Sequence, residues 1–147
     1  PSKVLSEQQD KDNFVTIFDS NLSRFKRLDL LYRASEHGFS AVKFHELSHG
    51  SANTFVLAKG TNNEVFGGYT PCRWVAGETS YAVDLKGESF LFSITKLKVY
   101  GLRKDMLETA IHNSEDLGPT FGRGHDLLLS NKCNEMVFSH SNLGKSY

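Results

Sequence analysis

Two histidines one helical turn apart with a glutamate beside the first, His45-Glu46-Leu47-Ser48-His49, form the sharpest chemical motif in the chain. In HExxH spacing the two imidazoles share a helix face and can bind zinc, while the glutamate activates a water. Both imidazoles fall at the margin of the apolar stripe Ala41, Phe44, Leu47. The extended form of the motif needs a glycine and a third histidine downstream, where this chain has Ala52 and Phe55. The helix is expected to stop at Gly50, which leaves His49 on its last turn, and a third ligand would have to come from a strand, with Glu64 the candidate. We read the match as incidental and assign no metal ligand. His45, Glu46 and His49 remain the candidates if the chain is a zinc hydrolase.

A second group is Gly122-Arg-Gly-His-Asp126, which has GxG without the third glycine of a dinucleotide-binding turn and opens no helix. Its glycines suit a tight turn of positive φ leading into a strand. His125 and Asp126 could be two members of a hydrolytic triad with Ser40 or Ser89 as nucleophile, yet neither serine sits in a GxSxG elbow. Gly67-Gly68 interrupts an apolar strand and marks a bulge or a close approach of backbone. Cys72 precedes Arg73, a neighbour able to lower a thiol pKa, although an inert, partly buried thiol is the simpler reading. Arg24, Lys26, Arg27 and Arg33 form a cationic face that could dock an acidic partner or anionic lipid and otherwise is solvated surface.

The elements that would position these residues can be read from hydrophobic periodicity. Leu22, Phe25, Leu28, Leu31 and Tyr32 recur at helical spacing, predicting a helix from Asp19 that stops near Gly38. A second helix is predicted from Ala41 to about Ser48, with Ser40 as N-cap and Gly50 as terminator. After Gly50 the pattern changes to strand: Phe55–Ala58, a turn at Gly60–Asn63, then Val65–Tyr69. Tyr81, Val83 and Leu85 alternate with polar residues as on a half-buried strand. Phe90–Ile94 reads as a central strand, Leu97 and Val99 as an outer one, with further candidates at Asp126–Leu129 and Met136–Phe138. The fold class is α+β, mainly β: two antiparallel sheets packed as a sandwich, with two flanking helices near the N-terminus.

Bulk properties narrow the function classes. The chain has 147 residues, enough for one compact core, and eleven phenylalanines to fill it. Seventeen Lys and Arg balance seventeen Asp and Glu, which argues against a dedicated nucleic-acid binder. No apolar run approaches the roughly 20 residues of a membrane span, and the polar start has no signal-peptide core. Two cysteines, Cys72 and Cys133, lack CxxC spacing and suit a reducing compartment, so cytoplasm is the expected location. The sequon Asn21-Leu22-Ser23 falls inside the predicted helix. Residues 1–14 read as a polar linker or short leading helix, and residues 15–147 as one domain.

With these residues set out, the chain resembles the TLDc family. The matching stretches are Leu30-Leu-Tyr-Arg33, His37-Gly-Phe-Ser-Ala41 with Phe44-His45, and Val65-Phe-Gly-Gly-Tyr-Thr70 followed by Trp74. They continue with Glu88-Ser-Phe-Leu-Phe-Ser93, Gly118-Pro-Thr-Phe-Gly-Arg-Gly-His-Asp126, and Ser141-Asn-Leu-Gly144 with Tyr147. The resemblance covers roughly residues 15 to 147, with the blocks in order. Members usually continue into a final strand that completes a sheet, so a C-terminal strand is expected to be missing here, leaving an unpaired edge. The resemblance implies a eukaryotic, non-catalytic regulatory domain that binds protein partners, with roles in resistance to oxidative stress and association with the vacuolar-type proton ATPase. It implies no catalytic residue, cofactor or metal. The family's recurring positions, here Gly38, Ser40, Phe44, Gly67, Gly68, Ser89, Phe90, Gly118, Gly122, Gly124 and Asp126, read first as requirements of backbone and turn.

Overall fold

In a computed structural model, the structure describes residues 3–22, 27–135 and 139–147. The chain enters through a helix, α1 (Gln8–Leu22), rather than the one expected from Asp19. Its stripe is Phe14, Ile17 and Phe18, with Phe14 and Phe18 meeting Phe55 at 5.9 and 5.8 Å between ring centroids. Side-chain pairs one turn apart, Gln8 to Asp12 and Gln9 to Asn13, support the polar first turns. Downstream, the expected stripe is not helical: residues 27–33 carry no regular structure, and Leu28 and Leu31 are exposed. Arg24, Phe25, Lys26 and Met136–Phe138 lie outside the described residues, as does the side chain of Leu22. One turn, α2 (Ala34–His37), ends at Gly38, whose φ of 87° a side chain would rarely adopt.

The helix expected at 41–48 is present as α3 (Ala41–Ser48). Ser40 caps it, its hydroxyl accepting the Lys43 N–H at 3.3 Å. Ala41 and Phe44 are buried as expected, but the third buried apolar position is not Leu47; His45 and Ser48 turn inward instead.

Two antiparallel sheets follow. The first has the order β1 (Thr54–Lys59), β2 (Val65–Thr70), β4 (Phe90–Ser93), β5 (Lys98–Gly101). The second runs β3 (Ser80–Ala82), β6 (Ile111–Asn113), β7 (Leu117–Phe121), β8 (Leu127–Ser130), β9 (His140–Ser141). The first sheet is buried on both faces, which explains the unbroken apolar runs in β2 and β4. Val65, Tyr69, Phe90 and Phe92 point toward Ile17 and Leu5, while Val56 and Leu91 share the inter-sheet core with Trp74, Ile111, Phe121 and Leu127. Trp74 is fully buried, yet its indole N–H is satisfied by Thr54 Oγ1 at 2.8 Å.

Gly67 and Gly68 sit at regular register positions opposite Leu57 and Val56, so no bulge falls here. Close approach is the reason for both. A methyl on Gly67 would run into the Val56 carbonyl, and one on Gly68 would meet the Phe121 ring at 2.7 Å.

The alternation expected at Tyr81, Val83 and Leu85 is inverted. β3 ends at Ala82, Val83 and Leu85 are exposed, and Asp84 between them is buried. The carboxylate can be buried because it accepts the Ser89 N–H at 2.6 Å, while the Asp84 carbonyl closes the turn to Gly87. Leu97 likewise lies in a turn, at φ 49°, and only Val99 reaches the outer strand β5.

Candidate functional site

Helix α3 packs against β7, and this fixes the first motif. His45 is 2% exposed, its Nε2 lying 2.9 Å from the Leu117 carbonyl oxygen. A carbonyl oxygen only accepts, so Nε2 is the protonated, donating nitrogen in this bond. The ring is held edgewise between Phe44, with centroids 4.9 Å apart, and Trp74, at 6.5 Å. His49 stands at the C-cap of α3 and is exposed; its Nδ1 accepts the Ala76 N–H at 3.0 Å. Glu46 is exposed and pairs with Lys43 at 2.9 Å. Glu64 is on another surface, paired with Lys96 at 2.9 Å. The four residues are thus engaged separately, and among the described residues no cluster of three His, Cys, Asp or Glu side chains is poised around a common point.

The Ser, His and Asp candidates are also kept apart. Asp126 is fully buried in the bend after β7, and its carboxylate collects backbone N–H groups of Lys145, Ser146 and Tyr147 at 2.9 to 3.4 Å. Gly122, at φ 80°, is the residue a Cβ would drive into that carboxylate. Gly124 leaves room for the stem of Lys145, and Gly118 for the Leu129 carbonyl. His125, itself at φ 52°, stacks on His112 at 5.6 Å. Ser40 is committed to its cap, and the Ser89 hydroxyl bonds Thr70 Oγ1 at 3.1 Å.

Around Ser89 lies a polar set that periodicity alone does not reveal. Thr70 Oγ1 accepts the Cys72 N–H at 3.1 Å, and Asp84 holds the Ser89 N–H. Tyr147 is buried nearby, its hydroxyl donating to the Ala110 carbonyl at 2.6 Å. Burial pushes the Tyr147 phenol well above the usual tyrosine range, so it is a permanent donor. Burial likewise pushes the Cys72 thiol up, and its Sγ–H points at the Val83 carbonyl 3.5 Å away. The neighbouring Arg73 does not act on this thiol; its guanidinium donates to the Gly50 carbonyl. Of the cationic face, Arg27 pairs with Asp29 and Arg33 with Glu36, on two different segments rather than one helix.

A fold of two antiparallel sheets whose glycines and polar groups hold turns and strand approaches is the frame on which the comparisons fall. The family model "TLDc domain" matches residues 1–147, and the chain belongs to this family. It is also 34% identical over 95 residues to the GTPase-activating protein skywalker of Drosophila melanogaster. That match covers 60% of this chain and 15% of that protein, so the chain spans a small part of the relative.

Proposed function

We propose that this TLDc domain is a non-catalytic regulatory module that acts in the cytoplasm by binding another protein. Its partners, on the family's pattern, include subunits of the vacuolar-type proton ATPase, and its physiological role is in resistance to oxidative stress. One observation carries the reading: the Ser, His and Asp candidates for a catalytic set are held apart, each bonded to a structural partner. His45 holds β7, Ser40 caps α3, and Asp126 gathers the amides of residues 145–147. A hydrolase would need these groups to converge within hydrogen-bonding reach of one substrate position. The family membership and the likeness to a regulator named for GTPase activation support the same side. No helix among the described residues is long and apolar enough to cross a membrane.

The test is co-sedimentation of the purified domain with purified eukaryotic vacuolar-type ATPase and, in parallel, a pull-down from eukaryotic cytosol. Saturable association with the ATPase supports the proposal in full. Failure with the ATPase together with recovery of no stable partner from cytosol overturns it.

A further inference from the structure

Three histidines far apart in sequence stand in a row at one end of the second sheet. His112 on β6 stacks on His125 of the β7–β8 turn at 5.6 Å, with ring planes 24° apart. His125 in turn meets His140 on β9 at 6.3 Å. Tyr81 of β3 covers the other face of His112 at 4.6 Å. With Tyr81, the row therefore crosses from one outer strand of the sheet to the other.

We infer that this imidazole row is a proton-operated latch that holds the β7–β8 turn and residues 140–147 closed at neutral pH and releases them on acidification. This is a property of the fold itself and holds whatever partner the domain binds. Neutral imidazoles tolerate stacking, and a single proton on a stack is tolerated as well. Two adjacent imidazolium ions repel in a partly desolvated site. His112 resists a charge: its Nδ1 is buried without a hydrogen-bond partner, and burial, followed by the neighbouring His125, holds its pKa below the ordinary range.

Near the row, the described interactions involve these charged and titratable groups. Tyr81 on β3 donates to the Arg123 carbonyl at 3.3 Å. The turn carries Arg123 and Asp126 beside His125, and the Asp126 carboxylate is occupied by the amides of 145–147. Lys145 lies along Gly124.

The mechanical link to the terminal segment is short. Asp126, next to His125, also accepts from Asn142 N–H at 3.1 Å and from the Ser141 hydroxyl at 2.9 Å through its carbonyl. His140 is paired with Leu128 across β8–β9. Displacing His125 thus strains the attachments of residues 141–147 that run through Asp126.

The sign follows from His112. A group whose pKa is depressed on folding contributes stability above its unfolded value, about 6.5 for imidazole, and loses it as pH falls through the folded value. The experiment is hydrogen exchange on the intact chain at about pH 7.5 and about pH 5.5, each normalised to the intrinsic rate. Opening that takes up one proton should rise by up to about tenfold per pH unit in residues 140–147, while β2 keeps its protection. A His112→Gln, His125→Gln double variant should lose that dependence. Because this variant can open the segment for structural reasons, an NMR titration of the wild-type imidazoles is run beside it. His112 and the 140–147 amides should report one common midpoint. PH-independent protection, loss of protection equally in β2, or imidazole midpoints unrelated to the terminal amides would overturn the latch.

Discussion

Asp126 grips the Ser146 amide with both carboxylate oxygens, Oδ1 at 3.1 Å and Oδ2 at 3.0 Å, from a position with no solvent exposure. This ties residues 145–147 to a turn built around Gly122 and brings Tyr147 into the inter-sheet core. Asp126→Ala removes the acceptor and leaves buried N–H groups unpaired, each of which costs on the order of 1–3 kcal/mol. We expect a loss of roughly 3–5 kcal/mol in urea unfolding, with Asp126→Asn in between. A catalytic role for Asp126 would instead leave stability near wild type.

Gly67 and Gly68 should not be interchangeable. A methyl at Gly67 meets backbone, the Val56 carbonyl, which has no rotamer by which to yield; a methyl at Gly68 meets the ring of Phe121. We expect Gly67→Ala to cost at least about 3 kcal/mol and Gly68→Ala less, at about 1–3 kcal/mol, the usual range for overpacking. Thermal unfolding of the two variants in parallel ranks them. The reverse order would show that β1 moves more easily than the core.

Much of the fold is legible in the sequence, and where the structure differs the reasons are physical. Helix α3 could be read because its cap, Ser40, and its stop, Gly50, bracket a short stripe. The close approach at Gly67 and Gly68 could be read because glycine in an apolar strand needs such a reason. Helix α1 was displaced because Phe14, Ile17 and Phe18 share the period seen at Leu22–Tyr32, and only the sheet face carrying Phe55 selects between them. Periodicity states which residues would be buried together if a surface were offered. Asp84 defeated the alternation at 81–85 because its partner, the Ser89 N–H, is backbone and leaves no mark in side-chain pattern. The histidine row was invisible for a related reason, since strand order rather than spacing brings His112, His125 and His140 together.

The two histidines of the HExxH match should differ in what they do. His45 is packed between Phe44 and Trp74, so His45→Ala opens a cavity and loses a buried hydrogen bond, at about 3 kcal/mol. His49→Ala gives up one exposed bond to the Ala76 N–H, at about 1 kcal/mol or less. Chemical denaturation of both variants checks this. Equal costs would imply a joint role that their separate surroundings do not provide.

Cys72 should be a poor sensor. Burial holds its thiol protonated through the neutral range, and only the thiolate attacks an alkylating agent or peroxide. Native protein at neutral pH should therefore react with iodoacetamide at Cys72 far more slowly than urea-unfolded protein, and the rate should climb only above about pH 8.5, the ordinary thiol value. Mass spectrometry of the Cys72 peptide reads the rate. Fast modification of the folded chain at neutral pH would reopen a redox role.

The view that these polar groups hold a scaffold rather than a reaction site meets its sharpest test in metal content. Protein purified without chelator is analysed for zinc per chain, with His49→Ala and Glu46→Gln beside the wild type. We expect well under one zinc per chain in all three, with no change between them. Stoichiometric zinc in the wild type that disappears in His49→Ala would mean that α3 carries a metal centre and that the domain is built for chemistry.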